Sequence, residues 1–335
     1  MAIDAGGTLH ELGAGLHAWV QGDGSWGWSN SGLIVGADGR TLLVDTLFTA
    51  RLTREMLEAF RRVEPAAARI DILVNTHANG DHTFGNHVPG AGRIIASHAA
   101  REEMEARPAG VFRAAAANPA AHGVFGAFLD HFMGHFDFSD IAHVPPTETF
   151  SGSRRIAVGG REVILTELGP AHTRGDIIVH VPDARVCFTG DLVFNGGHPI
   201  TWAGPVTNWI RACDHILALD VDVIVPGHGP PGDRGAVRMM RDYLARVLEE
   251  TARCYEAGLS WEEAAFEVGP SGFEDWLDRE RVVANVATIY RDLSGGRVDP
   301  PQDAVLTHMM RFSRGARCPH DGPCGCARAG DGGRA

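Results

Sequence analysis

Residues Asn75 to His82 read Asn-Thr-His-Ala-Asn-Gly-Asp-His and hold three strong metal ligands within six positions, His77, Asp81 and His82. They follow directly on the apolar run Asp-Ile-Leu-Val, so they sit on a loop at a strand end, where several side chains can turn toward one point. Imidazole nitrogen and carboxylate oxygen are the donors that catalytic zinc sites use. Gly80, between them, is expected to let the backbone fold sharply enough for both sides of the loop to face one centre. Three more segments have the same form, an apolar strand followed by glycine and a ligand: LGPAHTRGD with His172, CFTGD with Asp191 and VIVPGHG with His228. If these strands belong to one sandwich, the four loops converge on one edge. A lone histidine is most often a packed or surface residue, but four such loops in one chain argue for a shared centre.

Other residues carry weaker signals. Thr173 and Asp176, in HTRGD, are placed to hold His172 in position, with simple turn closure as the competing interpretation. His198 and Trp202, shortly after Asp191, are candidates for the substrate pocket. Trp26 and Trp28 lie in a glycine-rich loop that could cover the site. His87, His98, His122, His131, His135 and His143 read as structural or surface histidines.

These residues need a scaffold, and the patterning supplies one. Residues 15–45 alternate short apolar runs with glycine-rich turns, which is β patterning. Residues 50–62 have helical spacing, and strand and helix patterns then alternate, which predicts an α/β layered core. Residues 108–143 break this rhythm with an alanine-rich stretch and Phe128, Phe132, Phe136 and Phe138, and are expected to form a helical insertion at the pocket mouth. The β pattern returns after Pro145 and Pro146 in RRIAVGG, EVILTEL, DIIVHV and RVCFTG, a helical stretch NWIRACDHILALD leads to the strand VDVIVPG, and residues 233–294 show apolar positions every three or four residues, as helices do. The expected organisation is a catalytic domain over 1–232, a helical extension over 233–312, and a mobile Cys/Gly/Arg-rich tail over 313–335. Cys318, His320, Cys324 and Cys326 in that tail lack the paired C-x-x-C spacing of a structural zinc site. Cys187, Cys213 and Cys254 read as small buried apolar residues.

The 335 residues carry 30 Lys+Arg against 42 Asp+Glu, a net charge of −12, which argues against nucleic acid as a partner. No apolar run approaches a membrane span, and the first fifteen residues have neither the basic start nor the apolar core of a signal peptide. A cytoplasmic protein acting on a small molecule is expected, with a homodimer as one use of the helical extension.

The order of these ligands resembles the metallo-β-lactamase superfamily, whose signature is His-x-His-x-Asp-His followed by a distant His, an Asp and a His. The resemblance covers roughly residues 15–230 and includes an early strand ending in acid, LLVDT with Asp45. It implies a four-layer αββα sandwich with the site at one edge. It also implies that His77 and His172 hold a first metal, that Asp81, His82 and His228 hold a second, and that Asp191 bridges both. Asn79 stands where the family has its second histidine, and can offer only a carbonyl oxygen. The first site thereby becomes harder and richer in oxygen, which brings iron or manganese in as alternatives to one or two zinc ions.

By this resemblance the chain is a hydrolase in which a metal-bound hydroxide attacks an ester, lactone, thioester or amide carbonyl, with Asp81 also steering the water proton. The alternative is an iron-dependent oxidoreductase or dioxygenase on the same fold.

Overall fold

The computed structural model describes residues 6–269 and 272–315. Cys318, His320, Cys324 and Cys326 lie outside the described residues. Strands β1 (Thr8–Gly13), β2 (Leu16–Val20), β3 (Ser31–Val35), β4 (Thr41–Val44), β5 (Ile72–Val74), β6 (Arg93–Ser97) and β7 (Glu148–Phe150) form one sheet in sequence order. Strands β8 (Ser153–Val158), β9 (Arg161–Glu167), β10 (Ile177–Val181), β11 (Val186–Phe194) and β12 (Val223–His228) form the second, in the reverse order β12-β11-β10-β9-β8. β2, β4 and β5 are buried along their whole length, because each sheet lies between the other sheet and a helical layer. Leu16, Ile34, Leu42 and Val44 from the first sheet pack against Val163, Leu165, Val179 and Phe188 from the second to make the inner core.

The helices cover the outer faces. α1 (Ala50–Val63) is capped by the Thr49 side chain on Leu52 N and buries Leu52, Met56, Leu57 and Phe60, one stripe of an amphipathic helix. After the short α2 (Gly80–Thr83) and α3 (His98–Ala106), α4 (Ala109–Ala117) and α5 (Gly123–Met133) make up most of segment 108–143. α6 (Val206–Ala218) is tied to β11 by the Trp209 indole, which donates to Leu192 O at 3.0 Å. The C-terminal helices are α7 (Arg234–Glu256), α8 (Trp261–Glu267), α9 (Val282–Leu293) and α10 (Gln302–Ser313). Their buried residues, such as Tyr243, Val286 and Met309, join one apolar cluster with Leu52, Phe60 and Phe128, so they fold onto the sandwich and not apart from it. Cys187, Cys213 and Cys254 are buried within β11, α6 and α7. Among the described residues no helix is long and apolar enough to cross a membrane.

Strand direction explains where chemistry can assemble. β4 and β5 run parallel, so Asp45 and the 75–82 loop emerge at one edge. β11 and β12 run parallel, which brings Asp191 and His228 to an edge together. β10 is antiparallel to β11 and to β9, so the β9–β10 loop carrying His172 returns to that same edge.

One buried amide clamps the C-terminal helices to this edge. Asn285 on α9 accepts from Thr201 N and Thr201 Oγ1, both at 2.8 Å, and donates to Pro199 O at 2.9 Å. Asn285→Ala leaves those groups buried without partners and is expected to destabilise the fold by about 1–3 kcal/mol. The expected result is a lower urea midpoint at unchanged m-value; an unchanged midpoint would show that the clamp contributes nothing.

Candidate metal centre

The six ligand candidates of the four loops meet at one point. Asp191 lies at the middle: its Oδ1 is 3.1 Å from His82 Nε2, and its Oδ2 is 3.4 Å from His172 Nε2, 3.4 Å from His228 Nε2 and 3.8 Å from His77 Nε2. Asp81 Oδ2 is 3.3 Å from His228 Nε2 and 4.0 Å from His82 Nε2. The atoms divide into two groups of metal-ligand spacing, His77/His172/Asp191 and Asp81/His82/His228. The histidines and Asp191 are buried, whereas Asp81 is partly exposed. The backbone packs closely behind the centre: a Cβ on Gly227 would come within 1.9 Å of Asp191 Oδ1.

Each imidazole is held by its far nitrogen. His82 Nδ1 donates to Asp45 Oδ2 at 3.0 Å, His172 Nδ1 to Ile200 O at 2.7 Å, and His228 Nδ1 to Gly24 O at 3.1 Å. Thr76 Oγ1 donates to Asp45 Oδ2 at 2.7 Å and so accepts from His77 Nδ1 at 3.0 Å. With Nδ1 as the donor, the neutral form of each imidazole turns its Nε2 toward the centre, the tautomer that binds metal; burial lowers His82 and His228, but Asp191 and Asp81 outweigh it and raise both, so a cation there would replace a proton. Asp45 is the keystone of this arrangement. It is buried, has φ +60°, and accepts Thr76 N at 2.7 Å as well.

His77 Nε2, His82 Nε2 and Asp191 Oδ1 are buried without a well-aligned hydrogen bond, although the last two face each other at 3.1 Å. Stranding three such atoms in one spot is costly, and a cation between them satisfies all three. Burial alone would raise the Asp191 carboxyl, but the surrounding His228, His82, His77 and His172 hold it well below the usual carboxylate range. Burial likewise opposes ionisation of Asp81, and His82 and His228 bring it down to about 2. Two anionic carboxylates among four imidazoles are a donor set suited to one or two divalent cations.

The Asn79 carboxamide reaches into the same centre with its Nδ2, which donates to His172 Nε2 at 2.9 Å; the flipped amide would turn its carbonyl oxygen to a metal there. Its backbone carbonyl accepts from Thr83 Oγ1 and so closes α2. The expectation for Gly80 needs correction. Its backbone is not in the left-handed region, and its missing side chain matters because a Cβ would meet the Phe84 ring at 2.4 Å.

Thr173 and Asp176 do not touch the His172 imidazole through a hydrogen bond. Asp176 accepts Thr173 N and, at 2.6 Å, Thr173 Oγ1, which closes the turn that carries His172; the imidazole itself is held by Ile200 O. His198 is a second correction. Its backbone N donates to Leu277 O at 2.8 Å, which draws it away from the cavity, and its buried ring bonds Tyr243 OH at 3.0 Å.

A cavity of about 350 Å³ opens onto the centre. Asn79, Asp81, His172, Asp191 and His228 line its floor, and Trp26, Phe112, Phe125, Phe128, Phe194 and Trp202 line much of its wall. Trp202 thus lies where the sequence pointed. Of the expected aromatic run, only Phe128 reaches the cavity; Phe136 and Phe138 pack on Phe48 instead. Phe112 and Phe125, which sequence reasoning did not single out, take that place. Also missed was Arg281, which lies in a helical stretch with no signal to mark it.

The pattern described as the metallo-beta-lactamase superfamily matches residues 24–228. Among curated proteins, the chain is 26% identical over 200 residues to the 2,4-dinitroanisole O-demethylase subunit alpha of Nocardioides sp. (strain JS1661), covering 58% of this chain and 51% of that one. It is 24% identical over 251 residues to the linear primary-alkylsulfatase of Pseudomonas sp. (strain ATCC 19151), covering 66% and 46%. The chain therefore spans about half the length of these two relatives. Among solved structures, the stereoselective inverting sec-alkylsulfatase Pisa1 from Pseudomonas sp. superposes with a TM-score of 0.63 at 18% identity, covering 88% of this chain and 52% of that one. At that identity the likeness speaks for the fold.

Asp45→Ala removes the acceptor that orients His82 without removing a ligand atom. Metal affinity is expected to fall about 10–100-fold, as loss of such outer partners does elsewhere. A chelator competition titration reads this directly, and unchanged affinity would mean that His82 needs no orienting partner.

Proposed function

From the premise that this chain belongs to the metallo-β-lactamase superfamily, we propose that it is a metal-dependent hydrolase of a small organic molecule with a substantial apolar part. The observation that carries this reading is the pair of buried ligand groups, with their unpartnered atoms, at the floor of an aromatic-walled cavity. His77, His172 and Asp191, with the Asn79 carbonyl, would hold one ion; Asp81, His82 and His228, with Asp191 shared, would hold the other. Zinc best matches the donors, with iron or manganese as alternatives. Such ions, when bound, make water acidic enough to be a nucleophile at neutral pH and polarise the bond under attack.

The protein's own groups do the rest. Asp81 lines the cavity and is more exposed than the other five ligand candidates, which supports a role in orienting the attacking water. Water oxygen bonds to the carbonyl carbon of an ester, lactone, thioester or amide, the bond to the leaving group breaks, and the leaving group takes up a proton. The aromatic wall excludes bulk water and holds the apolar part of the substrate. The alkylsulfatase relative supports a hydrolytic reaction and adds sulfate esters to the bonds to be assayed.

A second reading, an iron-dependent oxidoreductase, rests on Asn79: an amide in place of an imidazole makes the first site harder. Metal analysis of protein purified without added metal separates the two. Zinc with turnover of an ester or thioester series, abolished by chelation and restored by zinc, is the expected result. Iron together with no hydrolysis of any class tried would overturn the hydrolase reading.

Asn79→His tests the amide itself. It is expected to raise affinity at the His77/His172 group by about tenfold or more, as imidazole replaces a weaker oxygen donor, and to lower native turnover. Stepwise metal titration by calorimetry checks this; identical titrations of the two proteins would make Asn79 a bystander.

A further inference from the structure

Arg281 is a buried cation in the wall of an otherwise apolar cavity. It is only 2% exposed and lines the cavity together with the ligand candidates. Among the described residues it is the one buried basic side chain there other than the ligand histidines; Arg107 and Arg174 lie exposed at the rim. Taking a guanidinium out of water is expensive, so its placement calls for partners.

Those partners hold the group without using it up. The guanidinium carbon sits 4.2 Å from the Trp26 ring centroid and 5.4 Å from that of Phe194, so the group is clamped by two aromatic rings. Asp278 Oδ2 pairs with Nη2 at 2.8 Å, and Nη1 donates to His198 O at 3.0 Å. Glu280, the other nearby acid, is engaged by the Trp26 indole at 2.6 Å. A guanidinium has five N–H donors, and Arg281 Nε is buried with no hydrogen-bond partner. Phe194 in turn stacks on His228, with centroids 5.1 Å apart and ring planes 5° from parallel. Phe194 thus contacts both Arg281 and a ligand candidate.

We propose that Arg281 receives an acidic group of the substrate, a carboxylate or a comparable oxyanion, so that the cavity selects an apolar molecule with an acid group near its scissile bond. Because Asp278 already balances the charge, recognition comes from directed N–H donors on a rigid fork, the geometry in which arginine binds carboxylates. Arg281 lies beyond residues 24–228, so it is contributed by the C-terminal helices and not by the family's matched region. The competing role is purely structural, a strut joining Asp278 to the 198 carbonyl.

The role in a reaction rests on the hydrolase reading, but the binding site does not, so the test uses binding alone. Hexanoate and hexan-1-ol, equal in chain length, are titrated calorimetrically into metal-loaded wild type, Arg281→Met and Arg281→Gln. Hexanoate is expected to bind wild type at least about tenfold more tightly than hexanol, the scale of a hydrogen bond to a charged group. Both variants should lose that preference while binding hexanol within about threefold of wild type. Arg281→Gln keeps a donor for His198 O and serves where the Met variant fails to fold. Equal binding of the two probes by wild type would overturn the proposal. So would hexanoate binding that survives in a folded variant, since the anion would then sit on the metal. Failure to hydrolyse any ester would leave the binding result standing and sink only the hydrolase reading.

Discussion

Four imidazoles crowd around a single carboxylate, Asp191, in a buried cluster at the floor of the cavity. Left to itself such a cluster would swell, protonate or collapse into ordinary hydrogen bonds, because buried ionisable groups without partners are costly. It persists because each imidazole is anchored from behind by a group the fold cannot easily move. Asp45, Thr76, Ile200 O and Gly24 O do this for His82, His77, His172 and His228. Those anchors come from both sheets and from the N-terminal loop, so the sandwich must be complete before the centre exists.

The cavity shows a similar dependence on distant parts. Trp26 from the N-terminal loop meets Phe128 and Phe132 of the insertion, Trp202 of the loop after β11, and Arg281 and Glu280 of the C-terminal part. One indole thereby joins four segments. The matched region supplies the ligand loops and segment 108–143, while the C-terminal part adds Arg281 and Leu306 to the cavity wall.

Local patterning made much of the fold legible. Strand and helix periodicities located β2–β6, β8–β12, α1, α3, α6, α7 and α9, because those segments bury continuous or periodic apolar faces. β1 and β7 were not legible: one is a half-exposed edge strand, and the other, Glu148–Phe150, is mostly polar where β5, equally short, is wholly apolar. His198 and Asp176 show the same limit at the site. Proximity in sequence to a ligand suggested contact with substrate or imidazole, but side-chain direction is set by partners such as Leu277 O and Thr173, which sequence spacing does not reveal.

What the sequence determined by itself was the chemistry: donor types, their order, and their position at strand ends, since these depend on residue identity and local periodicity. Only tertiary structure could decide that Asp191 would face four imidazoles, that Asp45 would orient His82, and that Arg281 would enter the cavity wall 90 residues after Asp191. Those facts depend on which loops the sheet directions return to one edge and on which helices pack over it. Such long-range contacts leave no periodic trace in the chain.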